Sequence, residues 1–341
     1  MKKKKVSIYD IAEEVGVSTA TVSYVLNGKA AEKRISPELQ KQILRSAKKN
    51  GYQPNMLAKG LSTGKSKIIG MMVEYISDPF FSTIARQIED KASRRGYKLL
   101  YSSTENCTDK TKELLRVYRE TQVDGYIIAP PPGVEKEIRT LLRSQVPLVL
   151  FDRFFPDLPS FNVIVDNQAG CYEATRHFIA RGHRNIALVT LDSLQVQMAE
   201  RTTGYHKALE ESGRTPLVRH IPFTAPEEER VRRIIAFIED HPEVDAVLFS
   251  TNYLAISGIK AIQSLRRSIP GDLGVISFDD NTHFDLFTPS ITSVAQPVFG
   301  ISEAIMDLLW RQMDGPVLPR AKKETVVLPP LLMERNSVGR T

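Results

Sequence analysis

Residues 7–28, SIYDIAEEVGVSTATVSYVLNG, hold two helix starts and two helix stops. Ser7-Ile8-Tyr9-Asp10 opens like a capping box, in which a hydroxyl and a carboxylate satisfy the free N–H groups of a first turn. Ile8, Ile11, Ala12 and Val15 recur at helical spacing. Gly16 ends that helix, because glycine takes the left-handed conformation cheaply. Ser18 can cap a second helix, Thr19 to Leu26. Its buried side is Val22, Val25 and Leu26; its other side shows Thr19, Ala20, Ser23, Tyr24 and Asn27. A third helix starts with Ser36 as cap and Pro37 in the first turn, then runs through Leu39, Ile43 and Ala47 to Gly51. Two short helices joined by a glycine-containing turn and braced by a third can set the second helix in a DNA major groove. Three small helices can also form a protein-binding bundle, so the pattern needs a second signal.

Charge supplies it. Residues 1–67 carry 14 lysines and arginines against five acids, a net of +9, whereas the whole chain of 341 residues carries +6. A small basic head on a slightly acidic body points to a polyanionic partner for the head alone. The composition, 42% hydrophobic and 25% charged, suits two or three globular domains and excludes a fibrous or disordered chain. No apolar run reaches the ~20 residues of a membrane span. Acidic Asp10, Glu13 and Glu14 stand where a signal peptide needs an apolar stretch. Cys107 and Cys171 alone build neither a disulfide framework nor a zinc site. The expectation is a soluble cytoplasmic protein without a cofactor or a metal.

Beyond residue 67, apolar runs alternate with helical stretches: 68–73, 99–101, 126–129, 148–151, 163–165, 186–190, 246–249, 275–278 and 291–295. Strands this apolar suit parallel sheets covered on both faces. About 270 residues exceed one such sheet, so two lobes are expected. Ligands bind beyond the carboxyl ends of strands in sheets of this kind. That rule selects residues 76–81, 152–153, 252–253 and 279–280. Their carboxylates, amides, arginine and aromatics make a sugar-type set. Between head and body, NMLAKGLS (residues 55–62) reads as one short helix capped by Asn55, with Leu57 and Leu61 on one face. It is too short to be stable alone, and Gly60 weakens it by roughly 1 kcal/mol, so it is expected to fold on binding. From the residues alone a plain interdomain linker is the favoured reading.

IYDIAEEVGVSTATVSYVLNG, followed by GYQPNMLAKGLSTGKSKIIG (residues 51–70), resembles the lac repressor (LacI/GalR) family of bacterial transcription regulators, and the resemblance runs to the last residues. It implies an α/β fold: a three-helix helix-turn-helix head and a two-lobed periplasmic-binding-protein-like core of parallel sheets. The expected divisions are a DNA-binding head, 1–54, a hinge, 55–66, and an effector-binding core, 67–341. Lobe one takes about 67–165 and 297–325; lobe two takes about 166–296 and 326–341. The resemblance places Thr19, Ala20 and Tyr24 at base-reading positions and Ser18, Thr21, Ser23 and Asn27 at phosphate contacts. Ser7, Asn55 and Lys59 complete the DNA-binding set with Leu61, the residue that wedges into the minor groove when paired hinge helices enter it. Tyr24 stands where an arginine is usual. A phenol cannot read guanine bidentately as arginine does, so the family's operator half-site does not carry over. Ligand contacts are implied at Phe80 and Phe81, Asp152 and Arg153 in VLFDR, and Arg201 in ERTTGY. Others are Phe249 and Asn252 in LFSTNY, Asp279 in SFDD, and Gln296 in SVAQP. The usual Asn-Asp pair is Asn252-Tyr253 here, and the tyrosine can narrow the pocket or stack on a ring.

The expected partners are a near-palindromic duplex operator, a small carbohydrate effector and a second copy of the chain. No leucine heptads are appended before Thr341, which favours a homodimer over a coiled-coil tetramer. No enzyme is expected. The six histidines are scattered, no G-x-S-x-G elbow occurs, and no G-x-G-x-x-G follows the first strand. Residues 60–66, GLSTGKS, miss the spacing and context of a phosphate loop. Asp279 and Asp280, if in a strand, would point apart and make a poor acid/base pair. Two other readings stay open at this stage: a solute-binding protein serving a transporter, and a carbohydrate- or nucleoside-processing enzyme with a DNA-binding head.

Overall fold

A computed structural model describes residues 6–52, 64–315 and 323–339. The expected hinge helix, with Asn55, Lys59 and Leu61, lies outside the described residues. Contacts divide the chain into a unit of residues 1–66 and a unit of residues 67–341.

The first unit contains α1 (Ile8–Val15), α2 (Thr19–Leu26) and α3 (Pro37–Lys49). Ser7 and Asp10 cap α1 reciprocally. The Asp10 amide donates to Ser7 Oγ at 3.4 Å, and the Ser7 amide donates to Asp10 Oδ2 at 2.7 Å. Gly16, at φ 73°, makes the left-handed turn into α2. Ser18 Oγ accepts the Thr21 amide at 3.1 Å. Ile11, Val22 and Ile43, one from each helix, are fully buried at the centre. Leu26 is only half-buried against them.

Glu14 fastens α1 to α3. Its carboxylate accepts from Ser46 Oγ at 2.7 Å, from Lys49 Nζ at 2.9 Å and from Asn50 Nδ2. The Ser46, Lys49 and Asn50 bonds hold its pKa down to about 2, from 4.5. A depressed carboxylate contributes stability above its unfolded pKa and loses it as pH falls through the folded value. Amide protection in α1 and α3 is therefore expected to drop between pH 4.5 and about 2, and Glu14→Gln should flatten that dependence. Hydrogen exchange on the full chain reads both.

The second unit has two six-stranded sheets. In chain order its elements are β1 (Ile68–Val73), α4 (Pro79–Arg94), β2 (Lys98–Ser103), α5 (Thr108–Glu120), β3 (Gly125–Ile128), α6 (Glu135–Arg143), β4 (Leu148–Phe151) and β5 (Phe161–Val165). They continue with α7 (Asn167–Ala180), β6 (Ile186–Asp192), α8 (Val196–Glu211), β7 (Leu217–Pro222), α9 (Glu227–Asp240), β8 (Ala246–Phe249), α10 (Asn252–Ser264) and β9 (Gly274–Phe278). Last come β10 (Thr292–Ala295), α11 (Val298–Asp314), β11 (Glu324–Leu328) and β12 (Leu331–Met333). The first sheet has the order β11-β5-β4-β3-β1-β2, the second β12-β10-β9-β8-β6-β7. Both reverse direction beside their first strand, and such a switch point opens a crevice at the carboxyl ends.

Two expectations need correction. The sheets are not wholly parallel: β12 runs antiparallel to β10. It follows β11 across Pro329-Pro330 with no helix between, so the crossover that returns a chain to parallel is missing. The lobe boundary also moves. β11 pairs with β5 through Leu328, so lobe one keeps residues up to 328, not 325. Strands β7, β11 and β12, all sheet edges with mostly half-buried or exposed residues, lay outside the apolar-run reading, whereas the edge strand β2 was within it. The chain passes between lobes three times, at 165–167, 295–298 and 328–331.

Candidate functional site

At the carboxyl ends of both sheets the two lobes form a half-open cleft, with about 430 Å³ of space that includes open solvent. Lobe one contributes Phe80 and Phe81 at the start of α4, Asp152 and Arg153 after β4, and Glu74 after β1. Lobe two contributes Arg201 from α8, Asn252 and Tyr253 from the start of α10, and Asp279 after β9. Gln296, on a crossing between lobes, lines it too.

Asp152 and Asp279 occupy matching places, each the first residue beyond a central strand. Both are left-handed, at φ 64° and 67°. A non-glycine residue there is uncommon, and it tends to persist where the surroundings hold it. Asp279 thus lies outside a strand, contrary to the geometry considered above for the Asp279-Asp280 pair. Asp280 is engaged by Arg335 at 2.9 Å.

Each lobe buries one arginine beneath these turns. Arg153 is 4% exposed; its Nε donates to Asp152 Oδ2 at 3.0 Å, Nη1 to Asn106 Oδ1 at 2.5 Å and Nη2 to Glu74 Oε2 at 2.5 Å. Burial opposes the Arg153 charge, but Glu74 and Asp152 outweigh it and raise its pKa. Arg201 is 2% exposed. Its Nε donates to Asn167 Oδ1 at 2.9 Å, and its Nη1 donates to the Ser250 carbonyl at 2.6 Å and Asp279 Oδ2 at 3.4 Å. The guanidinium lies 3.6 Å over the Phe278 ring. Gln296 Nε2 donates to Asp279 Oδ1 at 2.6 Å. Burial raises the Asp279 pKa, with Arg201 and Gln296 working against it.

Phe249 is the exception among the expected ligand residues. It is fully buried in the lobe-two core and does not line the cleft. A Cβ at residue 258 would fall 2.0 Å from its ring, so Gly258 is what lets α10 pass so close over β8. The sequence reading missed Glu74, Gln195 and Gln197, which also line the cleft. Applying the strand-end rule to β6 as well would have found the last two, and Glu74 directly ends the apolar run of β1.

On the head, Ser18, Ala20 and Tyr24 are exposed; Ser7, Thr19, Thr21, Ser23 and Asn27 are half-buried. Lys33 Nζ stands 5.1 Å from the Tyr24 ring centroid. Asn27 Nδ2 donates to Ser23 Oγ at 3.2 Å. Among the described residues no three His, Cys, Asp or Glu side chains could hold a metal ion, and no helix is long and apolar enough to cross a membrane.

A helix-turn-helix head and a cleft between two doubly wound lobes define a DNA-binding protein with a small-molecule site. A family model for bacterial regulatory proteins of the lacI family matches residues 7–55, and one for a periplasmic binding protein-like domain matches residues 175–338. The chain is 32% identical over 314 residues to catabolite control protein A of Priestia megaterium, covering 91% of this chain and 93% of that one. The structure of the lac repressor dimer bound to operator and the anti-inducer ONPF superposes with a TM-score of 0.84 at 23% identity, covering 98% of this chain and 99% of that one. That of a LacI family regulator from Enterococcus faecium with bound ribose gives 0.70 at 25% identity, covering 79% and 98%. The chain belongs to the lacI family of bacterial transcription regulators. It is a regulator of transcription, not an enzyme.

Proposed function

We propose that two copies of this chain bind a near-palindromic operator as a repressor, in the cytoplasm, and that a small polyol closing on the cleft changes their grip. Residues 1–54 read the DNA, residues 55–66 relay, and residues 67–341 sense and dimerise. The observation that carries this reading is the cleft itself: its polar groups come from both lobes, and Gln296 ties Asp279 to a crossing between them. A ligand that engages both lobes favours one relative placement, and only that preference can alter operator affinity. The name of the Enterococcus faecium relative, with ribose bound, supports a sugar. Phe80, Phe81, Asp152, Arg153, Arg201, Asn252, Asp279 and Gln296 form the ligand set, without Phe249. Ser7, Ser18, Thr19, Ala20, Thr21, Ser23, Tyr24 and Asn27 face the operator, with Asn55, Lys59 and Leu61 of the hinge.

Selection of binding sites from random duplex DNA by the full chain, with and without a panel of sugars, tests this. The expected outcome is one two-fold-symmetric site whose affinity shifts roughly 5–150-fold with one sugar, the usual range of allosteric coupling. Failure to retain any specific duplex would overturn it. In the same selection Tyr24→Arg is expected to introduce a guanine into each half-site, with about 1–3 kcal/mol of discrimination. An unchanged site would remove Tyr24 from base reading.

A further inference from the structure

The charges lining the cleft do not balance. Glu74, Asp78, Asp152 and Asp279 face Arg153 and Arg201, and no lysine or histidine lines it. Two negative charges are in excess. Most of the arginine donors are committed: all three nitrogens of Arg153 donate to protein acceptors, as do Nε and Nη1 of Arg201, while Arg201 Nη2 has no hydrogen bond in the described structure. Two acceptors are less engaged. Gln197 is 2% exposed, its Nε2 donates to Gln195 Oε1 at 3.2 Å, and its own Oε1 has no partner in the described structure although the residue lines the cleft. A buried acceptor left unmade costs about 1–3 kcal/mol, which a donor on a ligand relieves. Asp78 accepts only from the backbone at the start of α4, from the Phe80 amide at 2.8 Å and from Phe81, and no side chain donates to it in the described structure. Among the described residues no three acidic groups converge on a point that could hold a metal ion.

From this we infer that the cleft is built for a polyhydroxylated cation, an amino sugar with one ammonium group, in preference to a neutral sugar, a sugar acid or a sugar phosphate. The inference rests on the cleft being the effector site proposed above. Hydroxyls and the ammonium supply the donor that Gln197 Oε1 lacks and meet the lone pairs the carboxylates have left. The positive charge offsets the excess, whereas a carboxylate or phosphate would add to it. Tyr253 and Phe80 offer apolar faces for the ring carbons. The Asp78 carboxyl shows the same imbalance: burial first, then the neighbouring Asp279 charge, pushes its pKa up to about 6.

Calorimetric titration of the full chain with glucosamine, galactosamine and mannosamine tests this, each beside its parent hexose, the uronic acid and the hexose 6-phosphate. One amine is expected to bind at least about tenfold tighter than its parent, since a hydrogen bond to a charged group contributes about 1.5–3 kcal/mol. The acid and the phosphate should bind more weakly than the parent. Asp78→Asn keeps a side chain able to cap α4 and should bring amine and parent to within about threefold. The inference falls if no amine binds, or if the parent, acid or phosphate matches the best amine. A neutral or anionic sugar that binds at least as tightly as the best amine and shifts operator affinity overturns only the inference. If none of the twelve compounds binds or shifts operator affinity, the sugar-sensing reading falls with it.

Discussion

Arg201→Leu is expected to lower the melting temperature of the core by roughly 10 °C and to abolish the effector response. Arg201 is the largest fully buried side chain and joins three parts of lobe two: Asn167 at the start of α7, the Ser250 carbonyl after β8, and Asp279 after β9. Leucine fills part of the volume and removes every donor. It leaves a buried carboxylate without its counter-charge, and breaking one side of a buried ion pair costs about 3–5 kcal/mol. A domain of this size loses about 2–4 °C per kcal/mol. Asp279 would then take a proton, and the acceptor it offers to the cleft would change character. Calorimetric scanning measures the first effect and sugar titration the second. A melting point within 2 °C of the parent would show that the Arg201 ion pair offsets no more than its own desolvation.

Ile43→Ala in α3 should act on the other unit alone. Ile43 is fully buried at the centre of the three-helix head. An isoleucine-to-alanine change in a core costs about 2–5 kcal/mol, through lost transfer energy and the cavity left behind. A unit of this size has only about 3–8 kcal/mol to lose, at 0.05–0.15 kcal/mol per residue. Operator affinity should therefore fall at least tenfold, while sugar binding and the core's melting point hold. Operator titration and calorimetry on the same preparation separate the two. An intact operator affinity would mean the head draws stability from elsewhere in the complex.

The outcomes differ because the two units were legible in different degrees. The head's helices could be read to the residue at Ser7, Gly16, Ser18 and Ser36, because capping and left-handed turns are local chemistry. The central strands were legible as apolar runs because they are buried on both faces. The edges β7, β11 and β12 were not read: β7 is interrupted by Arg219 and His220, and the short runs 326–328 and 331–333 of β11 and β12 flank Pro329-Pro330 with no helical stretch between them. The strand-end rule reached Asp152 and Asp279, whereas Phe249, implied only by the family resemblance, turns into the core at the end of β8.

By itself the chain determined a basic helix-turn-helix head, a two-lobed body and the places where polar residues follow apolar strands. Each of these follows from contacts a few residues apart or from the composition of a single segment. Tertiary structure alone decided which charges meet. Arg153 finds Glu74 across 79 residues and Arg201 finds Asp279 across 78. Each pair forms within one lobe, where the ends of strands distant in the chain meet, and no window of sequence contains it.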